Sequence, residues 1–363
     1  MQLDWKKIVS KYKLEETQFV YILAALVFLV AIFLLSWFAW QYFISSANQD
    51  MAIVKPDNKV EEDCDYWRVL DGICVKTKKQ ANPQLVAVMI DNHYDARPPV
   101  GLAAATVVYE VPVEAEYTRF MAFYPVDVKI SKVGPVRSAR PYLLDWAQEY
   151  GDALYMHVGG SPEALNLIKD YKVNNLNEFY RGWYYWRDEV RSAPHNVYTS
   201  SELWNKALSD YQDNYLNDKY KGWQFATNTV ACEQSCVNEV IISYLTPVYE
   251  AEWIYNTSTE QYGRWQMGEL HTDEAGEQIV ADTIIIQHVE SQVIDVIGRK
   301  KINTVGSGEV EVFQKGNYMQ GTWNKTSRTD RTLFINEAGA SMSLTPGKIW
   351  VEVVDQNNRV SFE

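Results

Sequence analysis

Positive charge is scarce in this chain: 34 Lys and Arg stand against 47 Asp and Glu, for a net charge of −13. A nucleic-acid partner needs a basic face to meet phosphates, so that class is excluded. One basic pocket can still sit inside an acidic protein. Cysteine is scarcer, four in 363 residues, and none closely follows the apolar N-terminal run, which argues against a lipid-modified cysteine anchor. The five histidines show neither H-x-H nor H-E-x-x-H spacing, so no zinc motif is written locally. G-x-S-x-G and the phosphate-loop pattern are missing as well, and no repeat occurs at solenoid or propeller periods.

Apolar and aromatic residues are plentiful, with 13 Trp and 24 Tyr. Phe19 to Trp40, "FVYILAALVFLVAIFLLSWFAW", has no charged residue and is long enough to cross about 30 Å of hydrocarbon. Lys6, Lys7, Lys11 and Lys13 precede it, and no Lys or Arg follows until Lys55. The positive-inside rule therefore predicts a cytoplasmic tail over 1–17, a signal anchor over 18–43 and an extracytoplasmic body. The run exceeds the apolar core of a cleaved signal peptide. In that oxidising compartment Cys64 and Cys74, and Cys232 and Cys236, read as two local disulfides, because their gaps do not offer four zinc ligands.

Residues 44–82 are polar and acidic and read as a stalk carrying the Cys64–Cys74 loop. From 83 to 225 strand and helix patterns alternate, predicting an α/β (mixed α+β) domain. "QLVAVMI" (84–90) suits a buried strand, and 106–115 with 118–126 a strand pair. "PYLLDWAQEYG" has helical spacing with Gly151 at its end, and Ser161-Pro162 reads as N-cap and first turn of another helix. Residues 226–238 form a linker with Cys232 and Cys236. A smaller β-rich domain follows over 239–363. Its Trp253, Trp265, Trp323 and Trp350 read as core rather than a sugar platform.

"VGPVRSARPY" (133–142) places Arg137, Ser138 and Arg140 before Pro141, a predicted helix start whose free N–H groups favour anions. Two readings follow. The guanidinium groups bind a phosphate or carboxylate, or they pair with acidic neighbours. Period-two alternation sets Glu110, Glu114 and Glu116 on one strand face, with Pro112 suggesting a sheet edge. Arg119, Arg137 and Arg140 are their natural counter-charges; the functional alternative is an acidic cluster of Asp91, Glu110 and Glu114 for a cation or for proton transfer. Asp91-Asn92-His93 ends a strand, where open α/β sheets bind ligands. His157 ends another, before Gly159-Gly160-Ser161. "YWRDEVRSAPHNVY" adds Arg187, Arg191, His195 and Asn196. Asp91, His93, His157 and His195 together offer a His/Asp metal site without motif support.

The motifs "VAVMIDN", "RPPVGL", "VVYEVPVE", "TRF", "GPVRSARPY", "HVGGSPEAL", "RD" and "APHN" stand in one order, continued by "YGRW", "GSGEVEVFQKG" and "GKIW". Together, over about residues 84 to 356, the chain resembles the YerB-like family of bacterial envelope proteins, described as lipoproteins without an assigned reaction. The resemblance implies an α/β-type domain followed by a β-rich one, displayed outside the membrane. This chain departs from the family in carrying a transmembrane segment in place of a lipobox cysteine. It also has Glu114-Ala115-Glu116 where the family tends to have Glu-Gly-Gly.

The leading expectation is a membrane-anchored envelope protein binding an anionic, phosphate- or carboxylate-bearing ligand. Arg137, Ser138, Arg140 and the start at Pro141 form the site, and Arg119, His157, Ser161, Arg187, Arg191, His195 and Asn196 line its cleft. A metal-assisted phosphoryl or glycosyl-phosphate transferase is the alternative, its layout loosely similar to LytR-CpsA-Psr phosphotransferases. A scaffold for other envelope proteins is the third. No cofactor is implied beyond a divalent cation.

Overall fold

The computed structural model describes residues 34–37, 64–211, 220–226 and 228–363. Within the first of its two units, Met1–Met51, residues 34–37 form a helical turn. The rest of the run expected to span the membrane lies outside the described residues. No helix among the described residues is long and apolar enough to cross a membrane.

In the second unit, β1 (Leu85–Asp91) is buried along its whole length, as its unbroken apolar run requires of a strand covered on both faces. Then come β2 (Val107–Pro112), β3 (Thr118–Pro125), α1 (Pro141–Ala147), β4 (Leu154–His157), α2 (Pro162–Asp170) and β5 (Asn175–Asn177). A small hairpin of β6 (Trp186–Arg187) and β7 (Val197–Tyr198) leads to α3 (Ser201–Asp210). The remainder is nearly all strand: β8 (Glu239–Ser243), β9 (Ala251–Asn256), β10 (Gln261–Gln266), β11 (Thr283–Val289), β12 (Gly306–Gln314), β13 (Asn317–Lys325), β14 (Leu333–Asn336), β15 (Ile349–Asp355) and β16 (Arg359–Phe362). The mixed α/β character of the first half and the β-rich second half match the sequence pattern.

Ten strands build one sheet in the order β14-β13-β12-β11-β15-β2-β3-β1-β4-β5. Its two halves meet where β15 runs parallel to β2, with Ile349 opposite Val107 and Glu352 opposite Glu110. Alternation along the strands divides the core in two. Ala87, Met89, Tyr109 and Phe123 face α1 and α2, through Leu143, Trp146 and Ile168. Val88, Ile90, Phe120 and Ala122 face α3 and a second sheet of β8, β9, β10 and β16, through Trp204, Ile242 and Trp253. Three layers result, with the large sheet in the middle. Trp253, Trp323 and Trp350 are buried, as expected of core residues, and Trp265 is half-buried.

Three local expectations change. The strand pair ends at Pro112 and restarts at Thr118, because residues 114–116 form a tight turn in which Ala115 and Glu116 take φ of 55° and 61°. Glu114 and Glu116 therefore leave the strand face that Glu110 occupies. Pro112 does not mark a sheet edge: β2 lies between β15 and β3. The Val113 N–H bonds across to Tyr117 O (2.7 Å), so position 112 points its N to the other side, where pairing with β15 has ended at Glu110. The predicted helix over 141–150 is α1 followed by a 3-10 turn, Gln148–Tyr150, with Gly151 at φ 66°.

Cys64 pairs with Cys74 and Cys232 with Cys236, at Cα separations of 5.6 and 5.5 Å that a disulfide spans. Within the segment expected to be a stalk, residues from Cys64 onward join the fold, with Leu70 and Asp71 buried.

Candidate functional site

The segment 133–140 is an irregular strand held on both sides by backbone hydrogen bonds. Val136 N–H donates to Val197 O (2.6 Å), Arg137 N–H to Met89 O (2.9 Å) and Ala139 N–H to Gly159 O (3.1 Å). Val158 N–H donates in turn to Arg137 O (3.0 Å). Gly134 permits the approach: a Cβ there would lie 2.7 Å from Val197 O and 2.9 Å from Tyr198 Cδ1, at φ 148°. This pinned backbone fixes where the side chains of 137 and 138 project, beside the C-terminal ends of β1 and β4.

Asp91, the last residue of β1, is 4% exposed and is the hub. Its Oδ2 accepts a hydrogen bond from His195 Nδ1 at 2.7 Å. Arg137 Nε lies 2.9 Å from the same oxygen, an ion-pair contact too bent for a hydrogen bond. Oδ1 accepts the His93 N–H (3.1 Å). Burial alone would raise the Asp91 carboxyl. His195, Arg137 and the cross-strand Arg119 outweigh it and hold the pKa below the usual value.

Arg140 turns the other way, placing Nε 2.6 Å from Glu114 Oε2, Nη2 on Oε1 and Nη1 on Ala139 O (2.7 Å). Burial would lift the Glu114 carboxyl, but the bonds from Arg140 and the charge of Arg119 bring it down to about 2. Buried Arg119 donates to Ser138 O (3.0 Å) and lies 3.6 Å from Glu114, bracing the segment from below. Arg140 and the start of the seven-residue α1 therefore do not form the expected anion site. Arg137 remains open. Among the described residues nothing accepts from its two terminal nitrogens, and the half-buried Ser138 hydroxyl is likewise unclaimed.

Several other side chains singled out in the sequence are engaged elsewhere. His157 has no exposed surface, and its ring nitrogens meet Gly159 O (2.6 Å) and Asn175 Oδ1 (3.3 Å), so it lines no cleft. Ser161 caps α2, its hydroxyl accepting from Ala164 N–H. Arg187 joins Glu178 (3.0 Å) to Asn196 Oδ1 (3.2 Å), and Arg191 donates to Tyr198 Oη and Pro98 O. These contacts hold the β6–β7 hairpin that carries His195.

The expected acidic cluster is also dispersed. Glu110 is wholly buried and accepts from Arg264 Nη2, Thr118 Oγ1 (2.6 Å) and Asn92 Nδ2 (3.0 Å). Arg264, on β10, lies among the rings of Phe120, Trp253 and Trp350 at 5.0–5.8 Å, with His271 Nδ1 accepting at 2.7 Å. Its Nε is 3.7 Å from Glu352. Burial, then the nearby Glu110, pushes the Glu352 carboxyl up to about 8. With Glu110 and Glu114 both taken by arginines, neither is free to hold a cation.

Sequence reading missed part of the rim. Asp95 follows His93, whose ring stacks on His195 at 4.6 Å and meets the edge of Tyr117 at 5.3 Å. Arg97 donates to Asn92 Oδ1 (3.1 Å) and covers the Tyr249 ring at 5.1 Å. Tyr249 comes from the second half, so both halves build this rim. A groove of about 480 Å³ near Gly308, Trp323 and Asp355 holds none of these groups.

The profile described as "Protein of unknown function (DUF3048) N-terminal domain" matches residues 70–214, and that of the "C-terminal domain" matches 240–351. The chain is 30% identical over 279 residues to "Putative lipoprotein YerB" of Bacillus subtilis (strain 168), covering 76% of this chain and 83% of that protein. It also matches the crystal structure of the YerB protein from Bacillus subtilis with a TM-score of 0.70 at 29% identity, over 81% of this chain and 99% of that one. The chain belongs to the YerB-like (DUF3048) family.

Proposed function

We propose that this protein is an extracytoplasmic, membrane-tethered member of its family that binds an anionic envelope ligand at Arg137. The carrying observation is the unclaimed face of that guanidinium, held by a buried carboxylate that touches only its Nε. The surrounding pairs leave an excess of positive charge, since Arg119, Arg137 and Arg140 answer only Asp91 and Glu114. A half-buried arginine with a neighbouring hydroxyl is a strong partner for phosphate or carboxylate oxygens. The apolar run at 19–40 with its preceding lysines supplies the tether, and the name of the Bacillus relative, "Putative lipoprotein YerB", agrees with membrane attachment. Labelling of single cysteines placed at 8 and 47 by an impermeant maleimide in intact cells tests the topology; reaction at 8 would overturn it.

The binding test is thermal stabilisation of the full chain in detergent by inorganic pyrophosphate and by polyprenyl phosphate. Ligand at about 100 times Kd adds about 2.7 kcal/mol. That upward shift in midpoint should be lost in Arg137→Gln, and a shift of equal size in the variant would refute the site. A transferase reading is favoured by one observation. The Asp91–His195 bond orients the imidazole and leaves its free lone pair on Nε2, able to take a proton beside a bound anion. Turnover of a pyrophosphate lipid that His195→Ala abolishes, with binding intact, would establish it.

A further inference from the structure

The two histidines at the rim are not needed to hold an anion on Arg137, yet they are arranged for a task of their own. His195 spends Nδ1–H on the buried Asp91, which leaves the free lone pair of the ring on Nε2. That is how a carboxylate behind a histidine orients it as a metal ligand. The His93 ring lies against it, 4.6 Å between centroids. His93 Nδ1 and Asp95 Oδ2 are 3.6 Å apart, about the spacing of two ligands that share one ion at 2.0–2.2 Å each. One ligand atom from each of His93, Asp95 and His195 falls within 4.8 Å of the others.

We propose that His93, Asp95 and His195 form a divalent transition-metal site, with Asp91 as the orienting carboxylate behind His195. Two imidazoles and one carboxylate suit Zn2+, Fe2+, Mn2+ or Ni2+, whereas Mg2+ and Ca2+ favour all-oxygen shells. An ion would take the His93 Nδ1 lone pair that the Asp95 N–H now meets at 3.2 Å. Three protein ligands leave at least one coordination position for an exogenous group. Arg137 and His195 share one Asp91 oxygen, which ties the guanidinium to the same carboxylate that orients the metal ligand. The class of ligand the open position takes is then an oxyanion bridging metal and arginine, a statement that rests on the anion reading above; the metal site itself does not.

The test uses the full chain in detergent, stripped with chelator and titrated calorimetrically with Zn2+ and Ni2+ in the absence of any phosphate. One ion per chain is expected. His93→Ala and His195→Ala should each weaken it by about 100-fold or more, and Asp91→Asn by about 10- to 100-fold. His288→Ala, remote from the cluster, should bind as wild type, and Mg2+ should not compete. Circular dichroism shows whether each variant folds, and His93→Gln and His195→Gln replace an alanine variant that does not. A wild-type Kd weaker than about 10 µM, or wild-type affinity retained in either histidine variant, overturns the site. Arg137→Gln separates the two readings: it should retain the metal while losing pyrophosphate.

Discussion

Replacing Arg264 by alanine leaves Glu110 and Glu352 adjacent on neighbouring parallel strands, both wholly buried, with no cation between them. The side chain donates to Glu110 and His271, approaches Glu352 and fills a box of three aromatic rings. Removing one partner of a buried ion pair costs about 3–5 kcal/mol, and the emptied ring box adds to that. Glu352→Gln should be far milder, about 1 kcal/mol or less. The Glu352 carboxyl already favours its neutral form, and the amide can accept from Trp253 Nε1 while donating to the Tyr244 oxygen. Urea unfolding followed by tryptophan fluorescence at pH 7 reads both. The pH dependence supplies the second half of the test. A carboxyl raised from 4.5 to about 8 keeps a proton in the folded chain that the unfolded chain has lost. Its contribution is therefore complete below pH 4.5 and falls as pH rises toward 8, by up to about 1.4 kcal/mol per pH unit. Glu352→Gln should flatten that decline. Equal losses in the two variants, or an unchanged decline in Glu352→Gln, would refute a neutral Glu352.

Glu114→Gln removes a carboxyl held at about 2 by Arg140 and Arg119. Wild type should lose this contribution as pH falls from 4.5 toward 2, while the variant starts about 1–3 kcal/mol less stable at pH 7 and shows less acid sensitivity; acid titration by circular dichroism checks both. Gly134→Ala forces a side chain into a backbone at φ 148° against Val197 O, costing about 1–3 kcal/mol and weakening pyrophosphate binding by displacing Arg137. Undiminished binding there would show that the segment tolerates movement. Ser161→Ala removes the cap of α2 and should cost about 1 kcal/mol in urea unfolding while leaving pyrophosphate binding unchanged, since Ser161 caps a helix and lines no cleft.

Local patterns carried much of the fold. The apolar run of β1, the Ser161-Pro162 helix start and the strands after 239 all appear where local patterns put them, because each element's own residues carry its periodicity or its cap. The turn at 114–116 was illegible, since a positive φ is advertised by Gly or Asn and the sequence there reads Glu-Ala-Glu. The junction of the two halves was illegible for another reason. Val107 and Ile349 are register partners across most of the chain, and such pairing leaves no local periodicity. For the site, the sequence marks Asp91 at a strand end, Arg137 before a helix start and His195 in a charged loop, yet only the folded chain shows them on one carboxylate oxygen. The buried arginine does leave a trace in the sequence. Tyr262, Arg264 and Gln266 alternate on the inward face of β10, and a charge at such a position demands a buried partner. "VYEVP" and "WVEVV", each with one glutamate inside an apolar strand, were the complementary trace.

Those buried charges bear on the site through Asn92. Its amide donates to Glu110, which Arg264 holds from the second sheet, and its carbonyl groups accept from Arg97, whose guanidinium rests on Tyr249. Asn92 stands between Asp91, the hub of the site, and His93 on its rim. The geometry of the first half's loop is therefore set by an arginine and a tyrosine of the second half. A turn with only its own backbone to hold it would let Asp91 and His93 rotate apart, whereas this one is tied to a wholly buried ion pair. Two halves that share a sheet and jointly fix one carboxylate are better understood as one site-bearing body than as a binding module with an appended β domain.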